Sequence, residues 1–361
     1  MFKRFIYFLV PLIVFTFSQT AAQEKLEDYQ IEELLGRQVV LKNITGIAAA
    51  VIDENGTHFF GIGRINKKSN DSPDGNTIYE IGSITKVFTS LLLQKMADDG
   101  KLNLNDPISK FLPKSVKTPS KNGKEITLLD LSAQISGLPR MPDNFRPKDY
   151  QNPFADYTPE KLYEFLSSYK LTRDIGEKYE YSNVGAGLLG HILSLAGKSD
   201  YETLVEKYIC EPLKMKSTFI TFKPEFKKRL AHGYNISGNP VKNWDFSSLA
   251  GAGALKSCVN DLITFLKANM GLIKSDLYSS MLKIQKRVHD TGIPDLDIAM
   301  GWHIWKKFGK QIIWHNGGTY GYTTFIGFDN ESKKGVIVLS NGPQGVDDIG
   351  LHLLDTRYEL K

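Results

Sequence analysis

Tyr79-Glu80-Ile81-Gly82-Ser83-Ile84-Thr85-Lys86 is the stretch on which the reading of this chain turns. Ile78 to Ile81 predicts a short strand. Val87, Leu91, Leu92 and Met96 then recur at helical spacing, so a helix is expected from Ser83 to about Asp99, ended by Gly100. Ser83 therefore opens a helix immediately after a glycine, where backbone can approach another molecule closely. Lys86, three residues on, faces the same side. A serine hydroxyl is a poor nucleophile until a base takes its proton. Low dielectric and neighbouring cations can lower a lysine pKa enough for that task. The free N–H groups of a helix start favour developing negative charge. The same spacing recurs at Ser167–Lys170 and Ser280–Lys283, but those serines read as helix-surface residues within polar runs. An ordinary N-cap role is the alternative for Ser83.

On the N-terminal side, Ile47–Asp53 and Thr57–Ile62 flank Glu54-Asn55-Gly56, a hairpin signal. On the C-terminal side, the region from Lys101 to Arg229 alternates short helical patterns with Pro- and Gly-rich loops. Thr158-Pro159-Glu160-Lys161 has the form of a helix start, and helical patterns cover Ala186–Leu195 and Tyr201–Tyr208. Strands return at Ala299–Lys306, Lys310–His315, Thr323–Phe328 and Gly335–Ser340, before a last helix over Val346–Arg357. Hairpin-length connections predict an antiparallel meander. The expected fold class is α/β in the broad sense (α+β): an antiparallel β-sheet flanked by helices, with an inserted all-helical subdomain. The sheet region is expected at about 30–100 and 236–361, and the helical subdomain at about 101–235.

The 361 residues carry 45 basic and 40 acidic side chains, a net charge of +5, with no run of five or six like charges. That excludes a nucleic-acid-binding stripe. Lys3 and Arg4 precede an apolar stretch from Phe5 to Phe17, then Ser18-Gln19-Thr20-Ala21-Ala22. A basic start, a short apolar run and small residues predict a secretory signal over 1–22 and a periplasmic or secreted protein. The run is short for a membrane span, so no stable span is expected after cleavage; an uncleaved anchor is the alternative. Export permits a disulfide between Cys210 and Cys258, but two buried free thiols fit the apolar surroundings at least as well.

Two further motifs can carry chemistry. Tyr181-Ser182-Asn183 offers a phenol that nearby cations could ionise and an amide that both donates and accepts. Its plain reading is a loop tyrosine with an N-cap asparagine. Tyr150–Asn152 repeats the spacing in a Pro-bracketed loop. His315-Asn316-Gly317-Gly318 ends a strand where glycines let a substrate backbone lie alongside, and the Gly318 N–H could pair with that of Ser83 around an oxyanion. A strand-end histidine before a turn is the alternative. No metal spacing such as H-E-x-x-H, no G-x-S-x-G elbow and no phosphate-binding glycine motif occurs.

In order and spacing, Ser83–Lys86, Tyr181–Asn183 and His315–Gly317 resemble the penicillin-recognising serine hydrolases: class C β-lactamases, D-alanyl peptidases and related esterases. Ser136-Gly137-Leu138-Pro139 and Ala250-Gly251-Ala252-Gly253 resemble further blocks of that family. The resemblance spans about residues 45–345. It implies a cleft between sheet and helical region, and an acyl-enzyme formed on Ser83. Lys86 and Tyr181 would share the proton work, Asn183 and His315 would contact substrate, and Ser83 and Gly318 would hold the oxyanion. No metal or cofactor is implied. The substrates implied are β-lactams, D-amino-acid peptides such as peptidoglycan fragments, or small esters. A non-catalytic penicillin- or peptidoglycan-binding sensor is the reading from another class. Two departures stand out: His315 occupies the place of the lysine of classical β-lactamases, and Ala133-Gln134 replaces a frequent His-Thr pair, a change expected to affect the cleft wall.

Overall fold

Residues 25–361 are described by the computed structural model; the secretory-signal reading of 1–22 lies outside them. A first helix, α1 (Asp28–Leu41), leads into β1 (Gly46–Asp53) and β2 (Gly56–Gly63). Asp53 pairs with Gly56 across Glu54-Asn55, as the Asn-Gly signal predicts. The chain then forms β3 (Ile78–Glu80), a tight turn at Gly82–Ile84, and α2 (Thr85–Asp98). A small hairpin, β4 (Ser120–Lys121) with β5 (Lys124–Glu125), precedes the helices α3 (Leu128–Ser132), α4 (Pro159–Ser168), α5 (Asn183–Gly197), α6 (Tyr201–Val205) and α7 (Glu211–Leu213). Beyond them come β6 (Lys256–Cys258), α8 (Val259–Asn269), α9 (Tyr278–Ile284) and β7 (His289–Asp290). The chain closes with β8 (Leu296–Ile298), β9 (His303–Lys307), β10 (Lys310–Gly318), β11 (Thr323–Asp329), β12 (Lys334–Ser340) and α10 (Asp347–Leu354).

One antiparallel sheet runs in the order β2-β1-β12-β11-β10-β9-β8-β7. Side chains alternate between its faces. In β1, Ile47, Ala49 and Val51 pack with α1 and α10, whereas Ala48, Ala50 and Ile52 join the larger core around α2. In β12, Val336 and Val338 take the first face, Ile337 and Leu339 the second. Both faces are thus covered, which explains the nearly continuous apolar runs of these strands. The buried face of α2, including Val87, Leu91, Leu92 and Met96, lies in that larger core.

Several expectations need correction. Ile78–Glu80 does not join the large sheet but pairs with β6, so the strand before Ser83 is held by the segment following the glycine turn. The predicted strand Ala299–Lys306 is interrupted: β8 and β9 form a hairpin that turns through Gly301. Gly301 has φ +73°, and a Cβ there would stand 2.8 Å from the Lys86 carbonyl oxygen, so the chain can turn under α2 only with glycine. The Tyr201–Tyr208 helix tightens and widens again through a π-turn at Glu206–Cys210. Cys210 and Cys258 are both free and buried, and their thiol pKa values are pushed up by burial, to about 11 for Cys258.

Candidate functional site

Ser83 does not sit inside the helix. It is the middle residue of the Gly82–Ile84 turn that feeds α2. Gly82 has φ +51°, and a Cβ on it would come within 2.7 Å of the Gly318 backbone nitrogen. Gly82, together with Gly317, where a Cβ would collide with the Ile81 carbonyl oxygen, lets the end of β10 lie directly against the serine turn. Lys86, on the first turn of α2, is 2% exposed. Its Nζ lies 2.9 Å from Ser83 Oγ, 2.9 Å from Asn183 Oδ1 and 2.7 Å from the Ala252 carbonyl oxygen.

Those three oxygens fix what Lys86 can do. As an ammonium it would donate to all three. As an amine it donates to Asn183 and Ala252 and keeps its lone pair for the Ser83 hydroxyl. No carboxylate touches it among the described residues. Burial holds its pKa well below the ordinary lysine range, and the Arg140 guanidinium pushes in the same direction. Both effects favour the amine over the ammonium.

Ala252 reaches Lys86 because the 250–252 turn lies hard against α5. A Cβ on Gly190 would be 2.8 Å from the Gly251 Cα, so only two glycines allow this approach. Asn183 is the first helical residue of α5, not its N-cap. Ser182 caps the helix by accepting from the Gly185 N–H at 2.8 Å, which frees Asn183 to point at Lys86. Its backbone N–H donates to the Arg140 carbonyl at 2.9 Å.

Tyr181 completes this half. Its hydroxyl interacts with Ser83, and Lys86 Nζ lies 4.7 Å from its ring centroid. Burial pushes the phenol up to about 12, against smaller opposing effects of Ser83 and Arg140. Tyr181 is therefore a neutral phenol at neutral pH, not the phenolate that nearby cations suggested. Gln134, one of the two departures from the family pattern, shapes this wall. With φ +61°, it accepts the Ser182 N–H on Oε1 at 2.6 Å and the Glu180 N–H on its carbonyl at 2.8 Å. It clamps the Tyr181 segment from both sides.

His315 lies on β10 with its ring centroid 6.3 Å from that of Tyr181. It is 1% exposed, and its Nδ1 contacts the Asn316 carbonyl oxygen at 2.5 Å, so Nδ1 carries the hydrogen. Burial, then His303, then Lys86 hold its pKa well below the usual range. His303 stacks beside it at 5.1 Å and has its own pKa lowered to about 4, chiefly by burial; its Nε2 meets the Tyr179 hydroxyl at 3.0 Å. Both imidazoles are neutral.

An aromatic rim lies beside the 250–253 turn. Trp244 packs edge-on against Tyr320 at 5.1 Å, and a Cβ on Gly253 would stand 3.5 Å from the Phe246 ring. The buried Glu80 carboxylate holds the rim in place, accepting from the Trp244 N–H at 2.7 Å and the Asn243 amide at 3.0 Å. Sequence reasoning did not single out Glu80, Arg140, Tyr179, His303 or Trp244. Each acts through a long-range contact, and no local pattern marks it.

The rival motifs lie elsewhere. Tyr150 is exposed and Asn152 pairs with Asp245. Ser167 is exposed. Ser280, by contrast, is buried, contrary to its surface reading, because it donates to Asp98 Oδ2 at 2.6 Å. Among the described residues, no group of three or more His, Cys, Asp or Glu is placed to hold a metal ion.

A lysine buried against a serine, on a helix backed by an antiparallel sheet and faced by a Tyr-x-Asn loop, defines the penicillin-recognising serine-hydrolase architecture. The chain belongs to the β-lactamase family, whose family model matches residues 31–356. It is 30% identical over 311 residues to the D-alanyl-D-alanine-carboxypeptidase/endopeptidase AmpH of Escherichia coli K12, covering 82% of this chain and 79% of that protein. It is 29% identical over 271 residues to a β-lactamase of Psychrobacter immobilis, covering 73% of this chain and 63% of that one. Among solved structures, the octameric penicillin-binding protein homologue of Pyrococcus abyssi superposes with a TM-score of 0.80 at 27% identity, over 91% of this chain and 77% of the other. The β-lactamase/D-alanine carboxypeptidase of Yersinia pestis does so with a TM-score of 0.77 at 27% identity, over 88% and 93%.

Proposed function

We propose that the protein is an exported serine hydrolase that cleaves amide bonds of D-amino-acid peptides or β-lactams through an acyl-enzyme on Ser83. The observation that carries this reading is the position of Lys86, 2% exposed with its Nζ 2.9 Å from Ser83 Oγ and only uncharged oxygens around it. Lys86 accepts the hydroxyl proton as Ser83 Oγ bonds to the substrate carbonyl carbon. The N–H groups of Ser83 and Gly318 stabilise the resulting oxyanion. Collapse breaks the C–N bond, and the leaving nitrogen takes a proton from Tyr181 or from the Lys86 ammonium. Tyr181 as a neutral phenol suits the role of proton donor. Asn183 orients the substrate amide. Where Tyr181 was the donor, it recovers its proton from the Lys86 ammonium. Water then attacks the acyl carbon, giving a proton to Lys86; the Oγ–acyl bond breaks and that proton passes to Ser83 Oγ, restoring the hydroxyl and the Lys86 amine. Relatives described as carboxypeptidase and β-lactamase support this substrate class.

A carboxylesterase of the same fold is the second reading. It is favoured by His315, whose neutral, buried ring supplies no fixed charge for a substrate carboxylate. Intact-mass measurement after exposure to a penicillin and to an activated ester tests the proposal. An adduct or turnover that disappears in Ser83→Ala is expected; full hydrolysis by that variant refutes it. Relative rates on a cephalosporin, a D-alanyl dipeptide and a short ester then separate the two readings.

A further inference from the structure

Arg140 is a cation beside the candidate nucleophile that the mechanism above does not use. It is exposed, on the loop that follows Ser136-Gly137-Leu138-Pro139. Its guanidinium carbon lies 5.1 Å from the Tyr181 ring centroid, the ring against which Lys86 also rests. Tyr181 in turn interacts with Ser83, so Arg140 and Lys86 both lie against the ring that neighbours the serine. Among the described residues no carboxylate pairs with Arg140. The nearby arginines differ. Arg173 is paired with Glu180, and Arg146 donates to the carbonyls of Asp143 and Phe145. Arg140 is anchored through its backbone, by the Asn183 N–H on its carbonyl, while its planar donors remain unspent.

An arginine stacked on a ring with its fork free is arranged for bidentate recognition of a carboxylate. The opposite wall lacks such a charge, since His315 is neutral and buried. Resting on the acyl-transfer reading above, we infer that Arg140 is the specificity-determining residue of this site, binding a carboxylate carried by the substrate next to the scissile carbonyl. The carboxylate has two possible sources: the free terminus of the leaving D-residue, or an acidic side chain on the acyl half.

Steady-state rates on four matched substrates test this: a D-alanyl-D-alanine peptide with a free terminus, its terminal carboxamide, and the same pair differing by a carboxylate or carboxamide on the acyl side chain. In the wild type, kcat/KM for one carboxylate member exceeds its carboxamide by tenfold or more, and the pair showing the ratio identifies the source. In Arg140→Gln that ratio collapses to within about twofold, mostly through KM; in Arg140→Lys it is intermediate, since charge remains but the planar fork is lost. A ratio that survives in Arg140→Gln, or a wild type that ignores both carboxylates, overturns the inference. A neutral activated ester, hydrolysed by Arg140→Gln with Ser83 still required, shows that the acylating machinery is intact. Loss of ester hydrolysis in Ser83→Ala alone thereby separates failure of this inference from failure of the acyl-enzyme reading.

Discussion

Ser83–Lys86 and Ser280–Lys283 share the same spacing, and their surroundings make them opposites. Lys86 is buried among Ser83 Oγ, Asn183 Oδ1 and the Ala252 carbonyl, all uncharged oxygens. Lys283 is half-exposed and reaches Asp98 Oδ1 at 2.6 Å, while Ser280 donates to the other oxygen of the same carboxylate. In the second pair the carboxylate pairs with the lysine and occupies the serine hydrogen. In the first pair the carboxylate is replaced by neutral acceptors, and water is excluded. The proposed roles of Ser83 and Lys86 rest on that difference rather than on the Ser-x-x-Lys spacing.

The contrast can be broken from either end. The largest effect is expected from removing the lone pair: Lys86→Met should lower the acylation rate by about 10³-fold or more, read as single-turnover kinetics with a penicillin or an activated ester. The next largest comes from making the first site resemble the second. Asn183→Asp places a carboxylate 2.9 Å from Lys86 Nζ. It should raise the lysine pKa and lower acylation at neutral pH by about 10²-fold, with activity recovering toward alkaline pH. Tyr181→Phe keeps the ring against Lys86 and removes only the phenolic proton. It should cost about tenfold to 10²-fold on amides and less on activated esters, whose leaving groups need no proton.

Smaller effects concern stability. His303 is buried and neutral with its pKa lowered to about 4. A group whose folded pKa is depressed binds more protons when unfolded, so the fold loses stability as pH falls from about 6.5 toward 4, by up to ~3 kcal/mol from this residue. Denaturant titrations across that range should show the slope, and His303→Gln should reduce it. The smallest effect belongs to the second pair. Asp98→Asn should lower stability by no more than about 1 kcal/mol, because Lys283 is half in water, and should leave acylation unchanged.

Much of this was legible in the chain. The hairpin at Asn55-Gly56, the α2 periodicity and the C-terminal meander follow from local pattern, because each strand or helix carries its own spacing. The order of the motifs at Ser83, Tyr181 and His315 predicted that they converge, and the structure brings them together. Other features depend on contacts between distant segments. The partner of β3, the break at Gly301 and the burial of Ser280 are decided by what packs against them. The same holds for Gln134, read only as part of the cleft wall, whose left-handed backbone clamps the Tyr181 segment. The alternative reading of Asn183 as an N-cap fails because Ser182, its neighbour, takes that role and leaves Asn183 to face Lys86.

The central claim is that burial among uncharged oxygens, with no carboxylate beside it, holds Lys86 as an amine able to accept the Ser83 proton. The pH dependence of single-turnover Ser83 acylation by a neutral activated ester, in wild type and Asn183→Asp, tests it most directly. A wild-type rate that has reached its plateau well below the ordinary lysine range, with the rising limb displaced to higher pH in Asn183→Asp, is the predicted result. A wild-type limb near an ordinary lysine pKa, or one that Asn183→Asp leaves in place, contradicts it.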